Sequence, residues 1–306
     1  SPIPFAGLPV SGASVIAINP TADLPGGTSC TIILVHTGIT DTDVFDPPNL
    51  LDGNGDGVEG DSIGLSFITQ SIAVDDAYTV TPHLTLSSAA GATEVDANDT
   101  LALGAAIESF GFGACTGTAA GSQLDAGAAN GRLTLNLNGS FSYEPPAGLN
   151  ALTRTFCYTV TGGDTANVTF SILNQPRTWF INATAAAGGN GTQARPFNTL
   201  TGAGSFNAVA ADGDGDTLYL EGNHTCGLTL RPSQGVIGGG SSQNLATFTA
   251  ITPVTGSAFP TLSGTRPLLT AAADCLTLGS NNTLRGFNFG DVGATKNALV
   301  GSGFGT

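Results

Sequence analysis

The sequence predicts an all-β protein, and three observations lead to that prediction. The 306 residues include 44 glycines and 16 prolines, which interrupt helices and favour turns. No segment sustains apolar residues at the i, i+3, i+4, i+7 spacing of an amphipathic helix. Short runs of alternating apolar and polar residues, separated by turn residues, occur throughout instead. The pattern changes twice along the chain, so we expect three domains, at residues 1–72, 73–174 and 177–306.

The first segment has two clear strand patterns on either side of an acidic loop. These are "CTIILVHTG" and "DSIGLSFIT", which is few for a sandwich of about seven strands. The segment resembles the C-terminal half of the bacterial Ig-like domains of S-layer and other surface proteins. The matching motifs are "CT-I-I", "TDTD…DPP" and "F-x-T", at residues 30–33, 40–48 and 67–69. The resemblance implies a partial domain whose earlier strands are missing, which would leave Cys30 without its partner.

The second segment reads as a β-sandwich with antiparallel strands. Leu133 and Leu135 alternate with polar residues, as do Phe156, Tyr158 and Val160, and "NGS" and "GGD" form turns between strands. The segment resembles the cadherin-like Ig-like domains of large bacterial adhesins, on the motifs "AVDDAYTV", "NGSFSYEPP", "FCYTV" and "ANVTFSI". It differs in the turn "TGGDTANV", where that family places an acid earlier. The resemblance implies an Ig-like β-sandwich.

The third segment has very short strands separated by irregular turns of varied length. Alternating pairs at residues 218–220, 228–230, 276–278 and 287–289 predict successive rungs of a solenoid. The segment resembles the start of a secreted bacterial right-handed parallel β-helix, on "GGNGT…PFNTL", "DTLYLEG" and "NNTLRGFNF". The expected fold is therefore all-β, with Ig-like β-sandwich modules in tandem followed by a parallel β-helix. We expect the chain to be a piece of a longer protein, because neither end completes its domain.

Charge and cysteine content restrict the classes of function. The net charge is −15, with only eight lysine and arginine residues, so the chain cannot neutralise many phosphates. We therefore expect no nucleic-acid partner and no membrane insertion, since no apolar run is long enough to span a bilayer. The five cysteines follow no CxxC pattern, which favours disulfides in an oxidising compartment. The expected location is secreted or on the cell surface.

The acidic loop "DGNGDGVEGD" is the first candidate calcium site. Asp52, Asn54 and Asp56 occupy positions 1, 3 and 5 of an EF-hand-like loop, with a glycine at position 6. Position 12 is Ile63 rather than a glutamate, and Asp61 at position 10 is the nearest substitute. Both flanks are strands, so this is not an EF-hand. The alternative is a glycine-rich turn with solvated acids.

A second candidate calcium site is expected where the first two segments meet. Asp75 and Asp76 lie at that junction, and Asn98 and Asp99 follow in "ANDT". In cadherin-like repeats, to which the segment is similar, calcium at such junctions stiffens the array. The alternative interpretation is ordinary turn chemistry at a strand start. The sequence offers no catalytic residues, because the cluster "DGDGD" at residues 212–216 is more typical of a turn before a strand.

Two disulfides are expected, Cys115–Cys157 within the second segment and Cys226–Cys275 within the third. The first closes a long loop and the second would bridge coils of the β-helix. Connectivity does not follow from sequence alone, so both pairings are predictions. The odd number of cysteines leaves at least one, Cys30, without a partner in the chain.

Together these features favour a non-enzymatic structural or adhesive module of a bacterial surface protein, an array of β-domains stiffened by calcium. Its partners would be other domains of a longer chain, identical subunits, or a glycan or protein ligand at the cell surface. One alternative is a self-assembling extracellular fibre or sheath subunit that neighbouring chains complete by strand addition. Another is a polysaccharide-active β-helix enzyme.

Overall fold

The computed structural model describes residues 20–21, 24, 26–40, 49–271 and 273–301. Most of the "TDTD…DPP" motif lies outside these residues. The described residues are almost entirely strands and turns, with two α-helices of one turn each, α1 (Phe206–Val209) and α2 (Leu245–Thr249). The 3-10 turns are His36–Gly38 and Ser88–Ala90. The structure thus agrees with the all-β prediction.

The chain divides into two compact units. The first comprises Ser1–Ala73, Asn98–Ala106 and Val160–Thr165, and the second comprises Val74–Ala97, Ile107–Thr159 and Ala166–Thr306. In the first unit, β1 (Ser29–Leu34) and β2 (Ile63–Ile68) form an antiparallel pair, with Cys30 opposite Phe67. The segments expected as the second and third domains lie mostly within the second unit.

The N-terminal part of the second unit is built around a β-sandwich of two sheets. Its nine strands are β3 (Asp76–Val80), β4 (Leu86–Ser87), β5 (Ile107–Gly111), β6 (Thr118–Ala119), β7 (Gln123–Asp125), β8 (Arg132–Leu135), β9 (Phe141–Glu144), β10 (Leu152–Val160) and β11 (Thr165–Ile172). The five-stranded sheet has the order β3-β11-β10-β5-β6, and the antiparallel four-stranded sheet has the order β4-β9-β8-β7.

Aromatic side chains fill the space between these two sheets. Tyr143 of the four-stranded sheet stacks on Phe170 of the five-stranded sheet, with ring centroids 4.0 Å apart. Phe156 packs edge-on against both rings. The alternation seen in the sequence is therefore the alternation of core-facing and outward-facing side chains along β9, β10 and β11.

The C-terminal part of the second unit, residues 178–300, contains three sheets in which the paired strands of the described residues run parallel. We call it the parallel-sheet segment. Sheet A has the order β12-β13-β16-β19, sheet B β14-β17-β20 and sheet C β15-β18-β21. The strands are β12 (Thr178–Asn182), β13 (Thr217–Glu221), β14 (His224–Thr225), β15 (Leu228–Thr229), β16 (Gly235–Gly238), β17 (Leu268–Thr270), β18 (Leu276–Thr277), β19 (Thr283–Arg285), β20 (Asn288–Phe289) and β21 (Leu299–Val300).

The four apolar pairs singled out in the sequence do not stack in one column. Leu218 and Leu220 lie in sheet A, Leu228 pairs with Leu276 in sheet C, and Phe289 pairs with Leu269 in sheet B. The reason is that the chain turns after each short strand, so neighbouring strands of one sheet come from segments well separated in sequence. The buried core between the sheets contains Leu218, Leu220, Leu228, Leu230, Leu269 and Leu276. The partly buried Leu278, Phe287 and Phe289 pack against it.

Strands β12, β13 and β16 of sheet A are buried on both faces. Trp179, Leu218 and Val236 face the core between the sheets. Phe180, Tyr219 and Ile237 alternate with them and face a second apolar cluster that includes Leu84, Leu245, Phe259 and Leu262. The residues between β16 and β17, which contain α2, supply most of this cover. This explains why the strand "TLYL" is apolar at consecutive positions.

Candidate functional site

The acidic loop, residues 52–61, is folded by its own side chains. The two carboxylate oxygens of Asp52 accept hydrogen bonds from the backbone N–H groups of Gly55 (2.7 Å) and Gly57 (2.8 Å). Asn54 and Asp56 each accept one from the residue two positions later. Both glycines have positive φ, +76° and +84°, which lets their N–H groups turn inward. The N–H of Gly57 foremost, and then that of Gly55, hold the pKa of Asp52 below its ordinary value, although burial opposes this.

This folding gathers the ligands expected from the sequence. Carboxylate oxygens of Asp52, Asp56 and Asp61 all lie within 4.8 Å of one another. The amide nitrogen of Asn54 lies 3.2 Å from Asp56, so its side chain borders the same space. Calcium binds oxygens at about 2.4 Å, and ligands on opposite sides of the ion are therefore up to about 4.8 Å apart. The three carboxylates offer oxygen ligands at a spacing that suits a calcium ion, and the rest of its six to eight ligands would have to be carbonyl oxygens or water.

The four residues of the second candidate calcium set are divided between the two compact units. Asp75 and Asp76 belong to the second unit and Asn98 and Asp99 to the first. Asp75 accepts hydrogen bonds from the backbone N–H and side-chain amide of Asn167. Asp76 begins β3, opposite Val168 of β11. This set stays a prediction.

The structure contains two disulfides, Cys115–Cys157 and Cys226–Cys275, with Cα–Cα distances of 4.6 Å and 4.8 Å. Cys115 lies in the loop after β5, and Cys157 lies on β10. Cys226 and Cys275 are buried in the core of the parallel-sheet segment, where they connect consecutive turns of the chain. Cys30 is a free thiol.

A buried polar network joins the sandwich to the parallel-sheet segment, and we call it the junction. Its centre is Asp216, which is 1% exposed and forms an ion pair of 2.9 Å with Arg177. The same carboxylate accepts hydrogen bonds from the indole N–H of Trp179 (2.9 Å) and the backbone N–H of Gly213 (2.8 Å). Arg177 also donates to the carbonyl oxygen of Gly148, which belongs to the loop before β10. The buried charge of Asp216 is therefore fully paired.

His83 provides a second connection at the junction. It is fully buried, with its ring edge-on to Trp179 at 4.3 Å. Its Nε2 accepts a hydrogen bond of 2.8 Å from the backbone N–H of Gly148, so Nδ1 carries the proton and donates to the carbonyl oxygen of Thr178 at 3.1 Å. Burial lowers the pKa of His83 to about 4, in spite of the opposing hydrogen bond to Thr178. The imidazole is neutral at pH 7.

Glu144 forms a third connection, from the end of β9. It is 6% exposed and accepts from the Arg195 guanidinium at 2.6 Å and from the hydroxyl of Thr192 at 2.8 Å. Gly191, which precedes Thr192, approaches Trp179 so closely that a Cβ on this glycine would lie 2.6 Å from the indole. Sequence reasoning missed this network. Apart from Gly213, which is three residues from Asp216, its hydrogen-bonded partners are separated by 29 to 95 residues, and no local pattern indicates which distant charges meet.

The "DGDGD" cluster serves this network and the turn before β13. Asp216 is the buried acid of the junction, and Asp212 accepts from Gln234 (2.6 Å) and pairs with Arg231 (3.3 Å). Asp214 is exposed. The two aspartates that are not exposed are thus committed to arginines, as expected of a structural turn.

A small cavity of about 180 Å³ opens beside sheet A, and we call it the Glu221 cavity. The rings of Phe180 and Tyr219 and the side chains of Asn182 and Glu221 line it, together with the segments around Gln193 and Pro260. The hydroxyl of Tyr219 donates to one carboxylate oxygen of Glu221. Burial, and then this hydrogen bond, raise the pKa of Tyr219, which stays protonated. No local sequence pattern indicates this cavity, because its walls come from four separate segments.

Comparison with known proteins finds one family model that matches part of the chain. Residues 68–173 match the family model described as "Bacterial Ig domain". No curated protein and no solved structure matches the chain. The match covers the sandwich, so the prediction of a bacterial Ig-like domain in this segment is confirmed.

A bacterial Ig-like domain and two disulfides are consistent with an extracellular or surface location. Within the described residues, no helix has the length and apolar character needed to span a membrane.

Proposed function

We propose that this chain is a non-enzymatic structural or adhesive module of a bacterial surface protein, in which an Ig-like sandwich is fixed to the start of a right-handed parallel β-helix. The observation that carries the proposal is the junction. Arg177, Asp216, His83 and Glu144 are all mostly or fully buried and paired where the sandwich meets the parallel-sheet segment. Inter-domain contacts of ordinary modular proteins are small and permit motion, whereas a buried polar network fixes orientation.

The three parallel sheets support the β-helix part of the proposal. Their strands pair in register around one apolar core, with a disulfide between consecutive turns. A solenoid that begins without cover would expose unpaired backbone and apolar side chains. In the proposed arrangement the Ig-like sandwich covers the first turn, since Leu84 of the sandwich region packs in the same cluster as Phe180 and Tyr219.

Calcium bound by Asp52, Asn54, Asp56 and Asp61 is the second element of the proposal. The loop already holds its carboxylates within 4.8 Å of one another, and a bound ion would neutralise part of that charge. Calcium at Asp75, Asp76, Asn98 and Asp99 is proposed on the sequence pattern alone. Bound ions would stiffen the loops that hold them.

Single-molecule pulling and surface labelling test this function together. The sandwich and the parallel-sheet segment should unfold in one force event, because the junction couples them. Antibody against the chain should label intact cells of the source organism. Two separate force events for the second unit, or labelling restricted to broken cells, would contradict the proposal.

One observation favours the self-assembling fibre as a second candidate. The β1–β2 register puts Cys30 opposite Phe67 and Ile32 opposite Leu65 on one apolar face. Phe67 is 38% and Leu65 is 52% exposed. A second copy that covers this face would remove it from water. Sedimentation and negative-stain microscopy of the protein with calcium decide the matter, since monodisperse monomers at high concentration would argue against assembly.

A further inference from the structure

We propose that the Glu221 cavity binds the side chain of a lysine presented by a partner protein, with the ammonium group against Glu221 and the alkyl stem along Phe180 and Tyr219.

The first argument is the charge of Glu221. Three other carboxylates of the same unit that are not exposed, Glu144, Asp212 and Asp216, each lie within 3.3 Å of an arginine. A fourth, Asp274, accepts hydrogen bonds from the backbone N–H and side-chain amide of Asn297 instead. Glu221 is partly buried as well, but its hydrogen bonds come from the Tyr219 hydroxyl and, at 3.5 Å, the Asn182 amide. Neither donor carries a charge, and the described residues form no ion pair with Glu221. A carboxylate withdrawn from water without a countercharge favours the binding of a cation.

The second argument concerns which cation fits. Calcium requires six to eight oxygen ligands. The Asn182 side-chain oxygen already accepts from the backbone N–H and hydroxyl of Thr184, and that of Gln193 accepts from the backbone N–H of Thr85. The remaining lining residues are Phe180, Ile181, Tyr219, Pro196 and Pro260. Aromatic rings attract organic ammonium groups, so this lining suits an ammonium better than a hard metal ion.

The third argument concerns the body of the ligand. A volume of about 180 Å³ is small beside the roughly 300–1,000 Å³ of sites for whole drug-sized ligands. A sugar would bring several hydroxyls that need partners, yet the Gln193 amide is already bonded to the backbone at both ends, through Thr85 and Ala258. An apolar stem with one charged head group needs no further hydrogen bonds. The net charge of −15 also steers basic partners towards the chain.

Titration of the full chain with small probes tests the proposal. The probes are Nα-acetyl-lysine methylamide, its norleucine counterpart without the ammonium group, and glucosamine, followed by the shifts of backbone amide resonances at low ionic strength. The lysine probe should give saturable shifts at Gln193, Glu221 and their neighbours, and binding should weaken with salt. Glu221→Gln should weaken binding at least tenfold. Asp214→Asn removes one exposed acid of the same unit and should leave binding unchanged.

Three results of this titration would overturn the proposal. Equal binding of the lysine and norleucine probes, unchanged binding in Glu221→Gln, or no lysine binding would each overturn the proposal. Tighter binding of glucosamine would show that the cavity selects an amino sugar and would overturn the assignment to a protein lysine. If Glu221→Gln does not fold, the comparison of the lysine and norleucine probes on the unsubstituted protein decides the question.

Discussion

Replacement of Asp216 by asparagine, which exchanges one carboxylate oxygen for an NH2 group, should strongly destabilise the second unit. The carboxylate accepts from Arg177, Trp179 and Gly213, so an amide nitrogen in place of either oxygen would face a donor. The substitution also leaves the guanidinium of Arg177, whose side chain is only 11% exposed, without its countercharge. Removal of one partner from a buried ion pair costs about 3–5 kcal/mol.

Thermal unfolding followed by calorimetry measures this loss. At about 2–4 °C per kcal/mol for a unit of this size, Asp216→Asn should lower Tm by about 6–20 °C. The matched control is Asp214→Asn, which makes the same change two residues away at an exposed position, with an expected effect within about 0.5 kcal/mol. If both variants melt at the same temperature, the junction does not stabilise the unit.

A double substitution isolates the pair itself. Arg177→Met combined with Asp216→Asn removes both charges, so no unpaired charge stays buried. The double variant should be more stable than Asp216→Asn alone, since the interaction energy of neighbouring residues is not additive. If the stability lost in the double variant equals the sum of the losses in Arg177→Met and Asp216→Asn, the ion pair is not their cause.

Three further predictions concern calcium, pH and the disulfide of the parallel-sheet segment. Calcium should raise the melting temperature of the first unit relative to chelator, and Asp52→Asn should abolish the difference, because a ligand that binds only the folded state stabilises it. Since burial lowers the pKa of His83 to about 4, the stability contributed by its neutral form is complete above pH 6.5 and should fall by about 3 kcal/mol as pH decreases towards 4. Replacement of both Cys226 and Cys275 by alanine should cost about 4 kcal/mol in denaturant unfolding, the loop entropy for a separation of 49 residues.

Each of these predictions has its own control. For calcium, magnesium at the same concentration should stabilise less, and identical melts with calcium and chelator would remove the loop as a site. For pH, His83→Asn keeps a residue that tolerates the positive φ of +64° at this position, and its profile should be flatter between pH 6.5 and 4. If stability falls equally with pH in the unsubstituted protein and in His83→Asn, His83 does not cause the loss of stability at low pH. For the disulfide, thiol titration of the unfolded, unreduced protein should detect only Cys30, and more than one thiol would contradict the pairing.

The sequence alone determined the local structure. Period-two alternation in "FCYTV" and "ANVTFSI" follows directly from burial of one face of each strand, and β10 and β11 form at these places. The acidic loop is also local, since Asp52, Asn54 and Asp56 bond to backbone groups within five positions. Sequence spacing was therefore sufficient to identify the side chains that fold the loop, and calcium binding by them stays a prediction.

Only the tertiary structure decided which distant side chains meet. The partition of the apolar pairs among sheets A, B and C depends on where the chain turns, and their alternation carries no such information. The junction brings together His83, Gly148, Arg177 and Asp216, whose pairing is fixed by packing of the sandwich against sheet A. The same is true of the Glu221 cavity. A single buried charge looks the same in sequence as a solvated one, and it differs only in whether the fold supplies a partner.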